Sequence, residues 1–234
     1  MLGFFRADED AFVKELMSSN INIDKLKKYI ANGVNINDVD EKGRNYLFFF
    51  AAKKNFNAIK VLISLGIDMY KEDKLGKTVL SEACEKYDFM MIRFLLDNGF
   101  DGNRKNSAGR TILQDCVLLG NDKVFQILLN YNLDFDIKDS DGKNVVFDAI
   151  ENGNLETLKK VIDNVKDINA VDKNGRTALF EAVLKDDLRL ALALINTGIN
   201  LNILDKNGQN VLYNTILQGM KNEILLKHLA KRGI

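Results

Sequence analysis

The sequence predicts an all-α repeat solenoid in which helix-turn-helix units of 33 residues stack side by side. A glycine recurs every 33 residues, at Gly43, Gly76, Gly109, Gly142, Gly175 and Gly208. An acid or amide stands three residues before each glycine, and an asparagine or threonine stands two residues after it. An apolar column follows in the same register, at Leu47, Leu80, Leu113, Val146, Leu179 and Leu212. Several columns that share one period indicate repeats whose common interior is built by stacking.

The segment Asp172–Asn202 shows how one unit is built. Its Gly175 can adopt a positive φ in a tight turn, and Thr177 can then cap a first helix through its hydroxyl. The apolar residues that follow share one helical face at Leu179, Ala182 and Val183. The pair Asp186-Asp187 interrupts the helix, and Gly198 ends the second one. Such a helix pair is too small to bury its own apolar side, so it requires neighbours of the same kind.

The pattern D-x-x-G-x-T, followed by two short helices at this period, resembles the ankyrin repeat from about residue 21 onward. The proline of the family's T-P-L-H run is missing throughout. The histidine of that run is replaced by Phe48, Ser81, Gln114, Phe147, Phe180 and Tyr213. In the family this histidine ties neighbouring turns together by hydrogen bonds. We therefore expect cohesion here to shift from polar bonds toward aromatic packing, with loops like β-hairpins between the units.

The columns predict one continuous domain of about seven units, including caps. Residues 1–39 are expected to form an N-terminal capping pair of helices, 7–18 and 21–32. Five repeats occupy residues 40–204, and they start at residues 40, 73, 106, 139 and 172. Residues 205–234 are expected to form a C-terminal capping repeat, whose final helix is more polar.

Composition excludes several classes of function. Lys and Arg together number 33, as do Asp and Glu, so the formal net charge is zero and argues against nucleic-acid binding. No apolar run reaches the roughly 18 residues that a membrane span requires. The N-terminal sequence does not resemble a secretory signal. Cys84 and Cys116 fall in small-residue positions of the first helices, which favours reduced core cysteines in a cytoplasmic protein.

The sequence contains no arrangement that is typical of catalysis, of a cofactor or of a metal. Its single histidine, His228, has no cysteine or second histidine at ligand spacing. The recurring acids of the turns are expected to bond their own backbone and so are not general acid–base pairs. The glycines are spaced for turns and match no phosphate-binding loop. We therefore predict neither enzymatic activity nor a bound cofactor.

Two charged columns accompany the first helices. The basic column precedes each helix, at Arg44, Lys77, Arg110, Lys143 and Arg176. The acidic column lies in the middle of the helices, at Glu82, Asp115, Asp148 and Glu181. By resemblance to ankyrin domains, both columns border the concave face. They form either a ladder of solvated charges that pair between repeats, each pair contributing about 0–1 kcal/mol, or a striped groove that orients a partner.

Aliphatic residues occupy positions that are usually exposed in ankyrin repeats, mostly in the C-terminal half of the chain. On the ends of the first helices these are Leu118, Leu119, Leu184 and Leu217, and on the loop tips they are Ile137, Val171, Ile203 and Leu204. An exposed patch of such residues marks an interaction surface. Alternatively, some of them pack between helices or against the next tip.

These observations favour a non-catalytic scaffold or adaptor that binds a protein partner on its concave face. The eight aliphatic residues and the acidic column are the predicted contacts. A second hypothesis is a self-associating structural protein whose aliphatic patch meets its own copy, in place of a monomer. An enzyme is the least favoured class, because it would require a closed pocket of titratable groups. The sequence does not identify the partner.

Overall fold

The computed structural model describes residues 7–217 and 223–231, and these form short α-helices joined by turns. Fourteen helices occur in the described residues: α1 Ala7–Leu16, α2 Ile23–Ala31, α3 Tyr46–Ala52, α4 Phe56–Ser64, α5 Val79–Glu85, α6 Phe89–Asp97, α7 Ile112–Leu118, α8 Asp122–Leu128, α9 Val145–Asn152, α10 Leu155–Ile162, α11 Ala178–Leu184, α12 Leu188–Asn196, α13 Val211–Leu217 and α14 Glu223–Lys231. The predicted all-helical repeat fold is thereby confirmed. The described ranges contain no β-strand; one isolated bridge joins Val171 to Thr177.

The chain divides into two compact units, which we call unit 1 (Met1–Asp101) and unit 2 (Gly102–Ile234). Within unit 1, α3 packs against both its own second helix α4 and the next first helix α5. Within unit 2, the first helices α7, α9, α11 and α13 pack in succession, and so do the second helices α10, α12 and α14. Within each unit, packing therefore joins the paired helices of a repeat and also joins first helices of successive repeats.

Two apolar columns supply the core: the predicted column of the first helices and a column of the second helices with the same 33-residue spacing. The first-helix column is buried at Leu47, Leu80, Leu113, Val146 and Leu179. The second-helix column is fully buried at Leu62, Leu95, Leu128, Val161 and Leu194. Burial of each such side chain contributes about 1.5–3 kcal/mol relative to exposure, so these columns supply much of the driving force for stacking.

The turns are built as the acid–glycine spacing predicts. The Asp172 carboxylate accepts from the backbone N–H groups of Asn174 at 2.8 Å and of Arg176 at 2.9 Å. The N–H of Asp172 donates to the carbonyl of Arg176 and closes the loop, while Gly175 has a φ of +76°. Asp73 makes the same set of bonds to Leu75 and Lys77. Local chemistry therefore fixes the shape of each tip.

Most of the predicted caps are observed. The Thr78 and Thr111 hydroxyls each accept from the backbone N–H three residues later. In return, the side chains of Ser81 and Gln114 accept from the backbone N–H of the cap residue. Thr177 is different: it occupies the N-cap position of α11, but its hydroxyl makes no capping hydrogen bond. Near the N-terminus, α1 and α2 are shorter than the predicted helices 7–18 and 21–32.

Polar cohesion between repeats persists although the histidine is missing. Phe48, Phe147 and Phe180 are buried, as the expected aromatic packing requires. However, the Gln114 amide donates to the Lys143 carbonyl of the next repeat at 3.0 Å. A second set of side chains accepts from backbone N–H groups 30 or 31 residues later, at Asn37, Tyr70, Asn103, Asp136 and Asn169. The predicted shift away from polar bonds is therefore only partly right, because amides and carboxylates at another column replace the histidine.

Candidate interaction surface

The basic column is positioned by the turns that precede the first helices. The backbone N–H of Arg110 donates to the side chain of Asn106, and that of Lys143 donates to the side chain of Asp139. Each basic side chain therefore starts from a fixed backbone position at the N-terminal end of a first helix. From there it reaches acids of its own repeat, of the next one, or, for Arg110, of both.

Arg110 forms the centre of a cluster of three carboxylates in unit 2. Its Nε lies 2.7 Å from Asp115, its Nη2 lies 2.8 Å from Asp148, and its Nη1 lies 3.5 Å from Asp139. Asp115 belongs to the same repeat, whereas Asp139 and Asp148 belong to the next. One guanidinium thus ties two repeats together through three carboxylates, and the planar fork of arginine is suited to this role.

The next two repeats continue the same arrangement. Lys143 Nζ lies 3.0 Å from Glu181 in the following repeat. Arg176 donates from both Nε and Nη2 to one oxygen of the buried Asp205, each at 3.1 Å. The paired charges of unit 2 therefore form a ladder between neighbouring repeats.

Unit 1 contains a looser version of this ladder. Arg44 lies 3.5 Å from Asp73 and 3.9 Å from Glu82 of the next repeat. Glu82 also pairs with Lys86 one helical turn later, and Lys77 pairs with Glu85 of its own repeat. These partly exposed pairs each contribute less than about 1 kcal/mol.

Asp148 departs from its predicted role as a partner contact. Asp148 is only 5% exposed, and its Oδ2 has no hydrogen-bond partner among the described residues. Burial raises the pKa of Asp148 from 3.8 to about 6, against the opposing attraction of Arg110. Asp148 was predicted as a partner contact, but its burial leaves it unavailable for direct contact. Glu82, Asp115 and Glu181 remain partly accessible.

Asp148 leads to a prediction about pH. Because its pKa in the folded chain lies above the ordinary value, the folded state holds this proton more tightly than the unfolded state. Its contribution to stability is present below about pH 4 and is lost as the pH rises through about 6. In Asp148→Asn this contribution is absent, so the stability of the wild type relative to the variant should fall by about 2–3 kcal/mol between pH 4 and pH 7.

Denaturant unfolding of both proteins at several pH values measures this difference. Carboxyl groups common to both proteins cancel in the comparison, which isolates position 148. A constant difference across this range would contradict the raised pKa.

The predicted aliphatic contacts differ in exposure. Leu119 is 70% exposed and Leu204 is 57% exposed. The others with described side chains are half-buried: Leu118, Ile137, Val171, Leu184 and Ile203. The side chain of Leu217 lies outside the described residues. Of the seven predicted positions with described side chains, Leu119 and Leu204 are therefore the most exposed.

Further exposed apolar residues escaped the sequence-based prediction. In unit 1, Leu75 and Met90 are exposed, and in unit 2, Tyr213 and Ile216 are exposed. Met90 could have been found, because other repeats place Asn57, Lys123, Glu156 and Arg189 at its position. Ile216 could not, because its column is filled by core residues in the other repeats of unit 2.

No group of three or more His, Cys, Asp and Glu side chains in the described residues could hold a metal ion. Cys84 and Cys116 are free and buried, and burial raises the pKa of Cys116 to about 12. The side chain of His228 lies outside the described part of the chain. Among the described helices, none is long and apolar enough to cross a membrane.

Comparison with known proteins places this repeat fold in a family. A model of ankyrin repeats matches three stretches of the chain, residues 14–106, 48–141 and 146–233. The crystal structure of the ankyrin repeat domain of Bcl-3, described as a unique member of the IkappaB protein family, superposes with a TM-score of 0.74. That similarity covers 94% of this chain and 96% of the other at 20% sequence identity, so it concerns the fold alone. No match is found among curated proteins. Because the family model covers most of the sequence, the chain belongs to the ankyrin repeat family.

Proposed function

We propose that the chain is a non-catalytic module that binds a protein partner through the tips and the first-helix ends of unit 2. Ankyrin repeats are generally protein–protein interaction modules. The observation that carries the assignment to this surface is the exposure of Leu119 and Leu204 beside a charge ladder that is already paired. In ankyrin domains these elements border the concave face, which we propose as the binding side.

The paired ladder supports this assignment energetically. Burying an unpaired charge under a partner would be costly, whereas Lys143–Glu181 and Arg176–Asp205 already neutralise each other. Binding energy can then come from a few apolar side chains in contact with the partner, as in most protein interfaces. Asp115 and Glu181 are paired with Arg110 and Lys143 but stay partly accessible, and we propose them as polar contacts at the edge of the interface.

The rigidity of the tips also supports binding. Hydrogen bonds fix the backbone on both sides of Leu204. Before it, the N–H of Asn202 donates to the Asn200 side chain at 3.0 Å, and after it the N–H of Lys206 donates to the Asn174 carbonyl at 2.9 Å. A surface that is ordered before association loses little conformational entropy when it binds.

The limits of the repeats and the location of the protein are further parts of this proposal. We infer five full repeats over residues 40–204, between capping segments at 1–39 and 205–234, on the sequence columns. We also propose that the protein works as a cytoplasmic adaptor, because its two free, buried cysteines are typical of a reducing compartment.

A photoreactive amino acid placed at position 119 or 204 tests the proposed surface. In an extract of the native cells, each is expected to crosslink to one common protein, which the same probe at Met90 should not capture. Met90 is the control because it is also an exposed apolar residue, but lies outside the proposed surface, on helix α6 of unit 1.

The matching substitution is Leu119→Asp. It should reduce capture of that protein at position 204 at least about tenfold, while the stability changes by less than about 0.5 kcal/mol because the side chain is exposed. Equal capture at all three positions, or capture at position 204 that Leu119→Asp leaves intact, would rule out this surface.

A further inference from the structure

The first helices α3 and α5 of unit 1 leave a small cleft between them, which the α3–α5 cleft names below. Its volume is about 180 Å³. Its apolar lining is formed by Phe48, Ala51, Ala52, Val79, Ala83 and Met91. An apolar cavity of about 150 Å³ is large enough to hold a benzene molecule, so the α3–α5 cleft can take one leucine-sized side chain.

The cleft is open because α3 carries a small residue where other repeats carry a larger one. The column of Ala51 continues with Cys84, Val117, Ile150, Val183 and Ile216, and Ala51 is its smallest member. In unit 2, the side chains of this column on α7, α9 and α11 are buried. Ala51 itself is half-buried and the neighbouring Ala52 is exposed, so the cleft is reached from solvent. A larger side chain can therefore enter this space from outside.

Charged side chains line the rim of the cleft, and the cations are more exposed than the anions. Lys54 Nζ lies 3.2 Å from Asp88, and Lys86 pairs with Glu82. The two lysine side chains are 68% and 61% exposed, whereas the two acid side chains are 20% and 15% exposed. A partner that approaches from solvent therefore meets ammonium groups before carboxylates. Such a rim favours an acidic partner over a basic one.

We propose that the α3–α5 cleft binds an acidic peptide segment of another protein, which inserts one aliphatic side chain between Ala51 and Ala83. Removal of this side chain from water supplies the apolar part of the binding energy. Asp or Glu residues beside it pair with Lys54 and Lys86 at the rim, and these charges select the segment. The site goes beyond the partner surface proposed for unit 2, because the two share no residue.

Methyl NMR of the full chain, labelled with carbon-13 at the alanine methyl groups, observes the cleft directly. The probe is the peptide Gly-Asp-Glu-Leu-Asp-Glu-Gly with both ends blocked. It should shift the methyl signals of Ala51, Ala52 and Ala83 and leave that of Ala178 in unit 2 unchanged. The same peptide with alanine in place of leucine, or with lysine in place of each acid, should bind at least about tenfold more weakly. Affinity for the acidic peptide should also fall as salt is added.

Ala51→Val is the matching variant, because it fills the cleft with the residue that stands at this position in Val117 and Val183. Circular dichroism should show the fold retained, while the affinity for the acidic peptide falls at least about tenfold. Ala31→Val, at the exposed end of α2 in the same unit, is the control and should leave the affinity unchanged. Crosslinking from position 119 should persist in Ala51→Val, so this proposal and the proposed function of unit 2 fail separately.

Several results would overturn the proposal. One is the absence of methyl shifts at millimolar peptide, and another is equal binding of the acidic and the lysine-containing peptide. Undiminished binding by Ala51→Val would have the same consequence. Shifts of the same methyl groups on raising the protein concentration alone would identify a second copy of this chain as the occupant instead. Tighter binding of decanoate than of the peptide would identify a free fatty acid.

Discussion

Replacing Arg110 with alanine is expected to lower the free energy of unfolding of unit 2 by about 3 kcal/mol. The guanidinium holds Asp115, Asp139 and Asp148 within 3.5 Å, and Asp148 is the buried member of this set. Without Arg110, the Asp148 carboxylate loses the cation that its Oδ1 contacts, at a site where burial already disfavours the ionised form. Chemical denaturation at pH 7, followed by circular dichroism, measures the loss.

Two comparisons distinguish this mechanism from a simple loss of packing. At pH 4 Asp148 is protonated, so the Arg110→Ala deficit should be much smaller than at pH 7. The double variant Arg110→Met with Asp148→Leu replaces the buried pair by apolar groups and should recover most of the stability, since such replacements are often neutral. A deficit below about 1 kcal/mol that does not vary with pH would show that Arg110 behaves as an ordinary surface residue.

Gly175→Val is the second substitution for which we expect a large effect. Gly175 has a φ of +76°, where a β-branched residue is strained by about 1–3 kcal/mol. Its added Cβ would also lie 3.3 Å from the Leu204 carbonyl oxygen and from Asp205 Cα of the next tip. Because these are backbone atoms, relief of the contact requires the two tips to separate. The loss should therefore exceed the strain alone, as measured by chemical or thermal unfolding.

The control for this prediction is Gly198→Val at the end of α12. Gly198 has a similar φ of +83°, but a Cβ there meets nothing within 4 Å. Both variants carry the backbone strain, and only Gly175→Val carries the clash between tips. If the two variants lose equal stability, the close stacking of the tips at Gly175 makes no contribution.

The breaks between paired helices show how far local sequence carries a prediction. The 33-residue period extends the predicted break at Asp186-Asp187 to the other repeats, some of which have glycine there. The chain adopts a positive φ at Gly120 and Gly153 but also at Lys54, Tyr87 and Asp186. Glycine adopts this conformation at no steric cost, whereas the other three residues adopt it because the stacked helices on both sides require the same turn. Periodicity thus located the turns even where residue type argued against them.

The candidate surface was less predictable than the fold. Asp148 and Glu181 occupy one column, yet Asp148 is buried under Arg110 and Glu181 is partly exposed beside Lys143. Likewise, Ile216 shares a column with the buried Val183, but is exposed. A column states which position a residue occupies within its repeat. Its burial depends on the side chains of the adjacent repeats, which the column does not record.

The amino-acid sequence by itself determined the ankyrin-type repeat, the positions of its turns and caps, and the residues of its core, because each depends on spacing within about one repeat and on local backbone chemistry. Only the tertiary structure decided which charges pair, which aliphatic residues are exposed, and which residues of α13 are exposed although their column is buried in other repeats. These properties arise between repeats, where residues about 30 positions apart compete for the same space and the same hydrogen bonds.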